Sequence, residues 1–244
     1  MALYQTDAVV IGARNWGEAD KVMTFFTRER GLVRAAAYGC RRPRSPLAGA
    51  MQMFTVLELQ AAEGQRLDSV RTATVKKHIK KLGEDLTAMA YGAFVAEFLR
   101  EFLPENQPEP AMYERFLEIL EAFETRNPRI TALAAAYQLL GYTGLELHYD
   151  RCVHCGRVIE GDAFLDSNEG GALCPTCRTP AAQPYPASLR QLIGTLGTLD
   201  WASTAKLTLH GADVVAAEDL LLRYLQTITG RPLKSLAFIQ QIAM

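Results

Sequence analysis

Four cysteines stand as Cys152-Val153-His154-Cys155 and Cys174-Pro175-Thr176-Cys177, two C-x-x-C pairs separated by eighteen residues. Nothing else in the chain restricts its folding so tightly. A tetrahedral zinc takes four thiolates at about 2.3 Å each, and a two-residue spacer lets one tight turn aim both sulfurs at a common point. The separation of the pairs is that of a zinc site. A module over about residues 148–184 is therefore expected, with one Zn2+ held by Cys152, Cys155, Cys174 and Cys177. Four protein ligands close such a site, so the zinc is structural and leaves no open position for chemistry. Two buried or redox-active thiol pairs are the competing reading.

The periodicity of the chain changes once. Asp7–Ala13, Lys21–Thr27, Leu32–Tyr38, Phe54–Gln60 and Leu67–Ala73 read as five short strands, Phe54–Gln60 alternating apolar and polar at period two. No helix among them is long enough for a parallel crossover. Five strands that close their own edges are expected as an OB-fold barrel, with an SH3-like barrel as competitor. Beyond residue 75 apolar residues recur at helical spacing. Helices are expected over Val75–Leu103, Ala111–Glu124, Ile130–Leu140 (almost wholly apolar, hence buried), Ser188–Leu199 and Asp213–Thr229. Ala163–Asp166 offers one strand of a short hairpin inside the cysteine module. The expected fold is α+β and multidomain: a barrel over 1–80, then a helical domain over 81–244 with the inserted module.

Hydrophobic content of 49% and charged content of 22% are those of an ordinary globular protein. No apolar run approaches the roughly 20 residues of a membrane span, and the start lacks a secretory signal pattern. Four cysteines in metal spacing, with Cys40 left over, suit a reducing cytoplasm. The net charge of −1 hides an asymmetry. Residues 1–81 carry fourteen Lys or Arg against seven Asp or Glu, a net of +7, and the remainder carries a net of −8. Such a split points to a polyanion-binding part joined to a part that does something else.

Within the basic part, Cys40-Arg41-Arg42-Pro43-Arg44-Ser45-Pro46 places three arginines in four positions. Its prolines are expected to hold it extended, so that the guanidinium forks splay along a phosphate backbone. Arg34 and Tyr38 lead into this loop on the outer face of a strand if Val33, Ala35 and Ala37 point inward. Arg14, Trp16 and Lys21 bracket the first strand connection and add cations and an aromatic on which a base can stack. Arg14, Lys21, Arg34, Tyr38, Arg41, Arg42 and Arg44 are thus the candidate DNA-binding residues. Lys76, Lys77, Lys80 and Lys81 read either as a solvated helix face or as phosphate contacts. Glu114, Glu118 and Glu121 read as an exposed helix face or a partner surface. No carboxylate pair, histidine set, P-loop, nucleophile elbow or dinucleotide fingerprint is present, so no catalytic residue is expected and the protein is not read as an enzyme.

The order of parts resembles the bacterial RecO family of recombination-repair proteins. The resemblance is carried by Trp16-Gly17-Glu18-Ala19-Asp20-Lys21 with Thr24, by Gly31-Leu32-Val33-Arg34, by Gly39-Cys40-Arg41-Arg42-Pro43-Arg44-Ser45 and by Gly230-Arg231-Pro232-Leu233-Lys234-Ser235. It implies a protein that binds single- and double-stranded DNA without sequence preference and anneals complementary strands. With RecR, it implies help in loading RecA on DNA coated by single-stranded-DNA-binding protein (SSB), without nucleotide hydrolysis. It also implies a cytoplasmic, nucleoid-associated location and no membrane. Arg14, Lys21, Arg34, Arg41, Arg42 and Arg44 fall in the barrel that the family uses for DNA. The cysteines occur in some members only, which fits a zinc that holds a fold together. A zinc-ribbon transcription factor that reads one duplex sequence is the alternative.

Overall fold

Five strands, β1 (Leu3–Trp16), β2 (Asp20–Thr27), β3 (Gly31–Ala37), β4 (Thr55–Ala62) and β5 (Asp68–His78), close into a barrel in the order β1-β2-β3-β5-β4. This is a computed structural model, and it describes residues 2–166, 168–203 and 209–242. The long first strand makes the closure possible. Its first half pairs with β4 from Leu3↔Ala62 to Val9↔Val56, and its second half pairs with β2 as far as Trp16↔Asp20. A bulge between Val10 and Gly12 turns the strand from one sheet wall to the other. The last seam is short and parallel, Ala35↔Asp68 and Ala36↔Ser69 between β3 and β5. That connectivity is the OB-fold and decides against the SH3-like alternative.

Alternation sorts the side chains as the sequence requires. Val33, Ala35 and Ala37 point into the barrel core with Val10, Met23, Phe25, Leu57 and Leu59, and Arg34 points out. Cys40, Ala50 and Met51, from the connection between β3 and β4, are buried in the same core. Cys40 is therefore a core-filling thiol, and burial pushes its pKa up.

Helices α1 (Lys80–Glu84), α2 (Leu86–Phe102) and α3 (Pro110–Thr125) follow. The continuous helix expected from Val75 is not formed. Val75–His78 instead extends β5, pairing Leu57↔Val75, Val56↔Lys77 and Thr55↔His78, because the barrel supplies ladder hydrogen bonds that local helical spacing cannot register. Asp85 then separates α1 from α2 and caps the latter, its side chain accepting from the Ala88 N–H at 2.9 Å. α3 covers β2, with Phe26 packed against Tyr113 and Phe116 at ring-centroid distances of 5.6 and 5.9 Å. α2 crosses β1 at the bulge, where Arg100 donates through Nη1 to the Ile11 carbonyl at 2.7 Å. At Gly12 a Cβ would lie 2.8 Å from that same Nη1, so a larger residue would have to displace the guanidinium.

The chain forms two compact units, Met1–Arg129 with Ala237–Met244, and Ile130–Leu236. In the second, α4 (Pro128–Thr143) is buried from Thr131 to Leu140, as its apolar run predicts. Tyr137 and Gln138 are satisfied by α6 (Gly211–Thr229) and by α5 (Ala187–Gly197) with the residues that follow it. Tyr137 donates to the Ala217 carbonyl at 2.8 Å. Gln138 donates to Leu196 and Leu199 carbonyls and accepts from the Trp201 indole N–H at 2.7 Å. The cysteine module carries the expected hairpin, β6 (Phe164–Asp166) with β7 (Gly171–Leu173), and a two-residue β8 (Gln183–Pro184) on the other edge of β6. A final helix, α7 (Lys234–Ile242), was not foreseen from the sequence.

Candidate nucleic-acid interface and metal centre

Two connections meet at one end of the barrel. The β1–β2 turn passes through Gly17 at φ +61°, and β3 runs out through Tyr38 to Gly39 at φ +64°, both left-handed positions that suit glycine. Three hydrogen bonds stitch them together. The Gly39 N–H donates to the Asp20 carboxylate at 2.6 Å, the Arg41 N–H to the Ala19 carbonyl at 2.9 Å, and Arg41 Nη1 to the Gly17 carbonyl at 3.3 Å. Arg14 stands opposite Val22, and Lys21 stands between Asn15 and Ala37. This end of the barrel therefore gathers Arg14, Lys21, Tyr38, Arg41, Arg42 and Arg44. Trp16 joins them, its ring centroid 6.0 Å from that of Tyr38.

The arginine loop is not the extended segment expected from its prolines. Hydrogen bonds from Arg42 N–H to Gly39 O, Ser45 N–H to Arg42 O and Ala48 N–H to Ser45 O make it a succession of turns. Arg42-Pro43-Arg44-Ser45 has proline at its second position and a positive φ, +66°, at its third, which is the type II pattern. Proline presets the first central residue of such a turn as readily as it extends a chain, and the buried Cys40, Ala50 and Met51 pull the loop back onto the barrel. The guanidiniums are presented from a compact knuckle.

The barrel's cations fall into two groups. Arg28 pairs with Glu114 at 2.7 Å, Arg30 with Glu63 at 2.7 Å, Arg34 with Glu105 at 3.7 Å, Lys77 with Glu121 at 2.6 Å, and Lys76 with Asp7. The backbone N–H groups of Lys80 and Lys81 donate to Glu124, and Lys81 Nζ to the Arg126 carbonyl. In contrast, no carboxylate among the described residues lies within 4.0 Å of Arg14, Lys21, Arg41, Arg42 or Arg44. Arg34 belongs to the first group. It sits opposite Thr24, three residues or about 10 Å along β3 from Ala37, and faces the segment after α2. The acidic residues of α3 divide likewise: Glu114 and Glu121 hold barrel cations, and Glu118 pairs with Arg115 of its own helix. Arg100 had no local signature in the sequence. The side chain is exposed over part of its length, and the partial burial of its guanidinium against β1 draws its pKa below the ordinary value against the pull of Glu97 and Glu101.

In the second unit the four sulfurs of Cys152, Cys155, Cys174 and Cys177 all lie within 4.8 Å of one another. The first pair sits on a turn closed by Gly156 N–H to Cys152 O at 2.8 Å and Cys152 N–H to Arg157 O at 2.9 Å, with Gly156 at φ +70°. The second sits on a single 3-10 turn, Pro175–Cys177. Val153 N–H to Ala172 O at 2.9 Å binds the first turn to β7, directly ahead of Cys174. Cys155 and Cys174 sulfurs are 3.9 Å apart, close to the roughly 3.8 Å edge of a tetrahedron with 2.3 Å metal–sulfur bonds, and far beyond a disulfide. Burial raises the Cys152 thiol, but backbone amides of Cys174, Cys155 and His154 outweigh it and bring it down to about 6, while hydrogen bonding with Cys174 pushes the Cys177 thiol up to about 12. The donor set fits one soft metal ion. His154 takes no part, its Nε2 lying 2.8 Å from Glu169.

Fold and site together define a small class: an OB-fold barrel with an unneutralised cationic end, followed by a helical body carrying a four-thiol cluster. No helix among the described residues is long and apolar enough to cross a membrane. Residues 1–79 match the family model for Recombination protein O N terminal, and residues 83–237 that for Recombination protein O C terminal. Similar proteins, each named DNA repair protein RecO, include that of Pelotomaculum thermopropionicum, 30% identical over 99% of this chain and 95% of its own. That of Symbiobacterium thermophilum is 32% identical over 99% and 98%, and that of Anaeromyxobacter sp. (strain K) 33% identical over 96% and 94%. The chain belongs to the RecO family.

Proposed function

We propose that this chain is a non-enzymatic DNA repair and recombination mediator of the cytoplasm, associated with the nucleoid. It binds single- and double-stranded DNA without sequence preference, anneals complementary strands, and with RecR helps load RecA on SSB-coated DNA. The observation that carries this reading is the gathering of Arg14, Lys21, Arg41, Arg42 and Arg44 at one barrel end with no carboxylate partner. Phosphate oxygens supply the missing negative charge, and counterion release drives the association. A grip on phosphates leaves base edges free to find a complement. Neutralising two strands on one surface lowers their mutual repulsion. The functional division runs near residue 80, and contacts with RecR and SSB fall to the more acidic helical part.

The ion suited to the four thiolates is Zn2+, in a closed structural role held by Cys152, Cys155, Cys174 and Cys177. Binding at such sites supplies on the order of 10 kcal/mol of folding free energy. The test is annealing of complementary oligonucleotides, bare and SSB-coated, with and without RecR and a chelator. Acceleration on both substrates, with RecR extending it on SSB-coated strands, supports the reading. Failure to anneal bare strands at low salt overturns it.

A further inference from the structure

We propose that Trp16 and Tyr38 form a base-stacking site that makes the cationic barrel end prefer single-stranded over duplex DNA. This rests on the DNA-binding reading above. Both rings are exposed to solvent, Trp16 by 44% and Tyr38 by 56%, whereas the phenylalanines of β2 are fully buried. Neither ring belongs to the barrel core, so core packing does not account for their pairing. Their centroids are 6.0 Å apart with planes tilted by 45°. That is direct ring-to-ring contact with no gap for a base between them, so a base lies on an outward face of the pair.

The site is built before a ligand arrives. Trp16 ends β1 and Tyr38 follows β3, and the bonds from Gly39 to Asp20 and from Arg41 to Ala19 and Gly17 lock these two connections together. The left-handed glycines Gly17 and Gly39 directly follow the two aromatics. Around the rings stand Arg14, Lys21, Arg41 and Arg42, which have no carboxylate partner among the described residues and can hold the phosphates on either side of a stacked base. An aromatic ring accepts any base, which keeps the site indifferent to sequence. It does not accept a base already stacked inside a helix. In a duplex only the terminal pairs offer a face, so a closed duplex meets the cations alone. The consequence is directional: separate strands are held by phosphates and bases, and the annealed product loses the stacking contacts and departs more readily.

The experiment measures affinities for an oligothymidylate, an abasic oligonucleotide of equal length, and a duplex closed by loops at both ends. Stacking on aromatics is worth about 1–3 kcal/mol per base, about five- to 150-fold in affinity. Trp16→Ala with Tyr38→Ala should lower the ratio of oligothymidylate to closed-duplex affinity by a factor in that range, and Trp16→Phe should restore most of it. The protein has two tryptophans, and Trp201 is buried with its N–H on Gln138. The emission difference between the wild type and Trp16→Phe therefore reports Trp16. It should be quenched by oligothymidylate and not by the abasic strand. An unchanged affinity ratio, or equal quenching by the abasic strand, overturns the stacking site while leaving phosphate binding intact. A wild type that binds none of the three overturns the DNA-binding reading and this proposal with it.

Discussion

Replacing Arg41, Arg42 and Arg44 together with alanine tests whether freedom from ion pairing marks the working cations. Among the described residues, the five cations gathered at the barrel end lack a carboxylate within 4.0 Å, as do Arg66 and Arg71 of the β4–β5 turn and β5, and five other barrel cations are paired. If each of the five at the barrel end neutralises one phosphate of a single strand, the slope of log affinity against log salt is about −0.7 per contact, or about −3.5 in all. Between 50 and 200 mM salt the wild type should then weaken by about 130-fold. The triple variant keeps two contacts, a slope of about −1.4, and should weaken by only about sevenfold over the same interval. Fluorescence anisotropy of a labelled oligonucleotide at five or six salt concentrations measures both slopes. The control is Arg28→Ala with Lys77→Ala, which removes charge from the same barrel at residues bound to Glu114 and Glu121. Its slope should stay at the wild-type value. Equal flattening in both variants would refute the sorting of cations by partner, because net charge alone would then explain binding.

Other consequences follow for stability. Removing metal with a chelator should speed hydrogen exchange at amides within residues 148–184, and Cys174→Ser should lower the thermal midpoint, with oligonucleotide binding retained. Arg44 holds a positive φ at the third position of its turn, where a side chain costs about 1 kcal/mol. Arg44→Gly should therefore be more stable to urea than Arg44→Ala by about that amount, though both lose the same charge. Gly31 also has a positive φ, +67°, and a Cβ there would stand 1.9 Å from the Gln107 carbonyl oxygen. Gly31→Ala should cost about 3 kcal/mol or more in urea denaturation, since backbone rather than a flexible side chain must yield. Arg100→Met strands the Ile11 carbonyl at the bulge, which should lower stability by about 2–3 kcal/mol.

The legible parts of this protein are those whose cause is local. Period-two alternation sends Val33, Ala35 and Ala37 inward and Arg34 outward whatever surrounds them. A two-residue spacer forces each cysteine pair onto one turn. An apolar run of eleven residues, Ile130–Leu140, has to be buried. The helix expected from the apolar stripe that begins at Ile79 does not reach back over Val75–His78, because those residues find β4 as a hydrogen-bonding partner. The arginine loop was over-extended for a related reason: proline is equally at home in an extended chain and in the second position of a turn. The buried anchors that choose between these, Cys40 and Met51, lie on either side of the loop.

Residue order alone carries five strands, a metal-spaced cysteine quartet and a surplus of positive charge in the first third of the chain. Which charges remain available is a matter of neighbours brought from far away. Glu105, Glu114 and Glu121 lie roughly 40 to 90 residues after the cations they pair with, and only packing of the helices against the barrel puts them within reach. The same holds for Trp16 and Tyr38, twenty-two positions apart, which touch because a carboxylate and two carbonyls join the connections that bear them. Coulomb attraction and ring contact act over a few ångströms, so they depend on where the chain returns to itself.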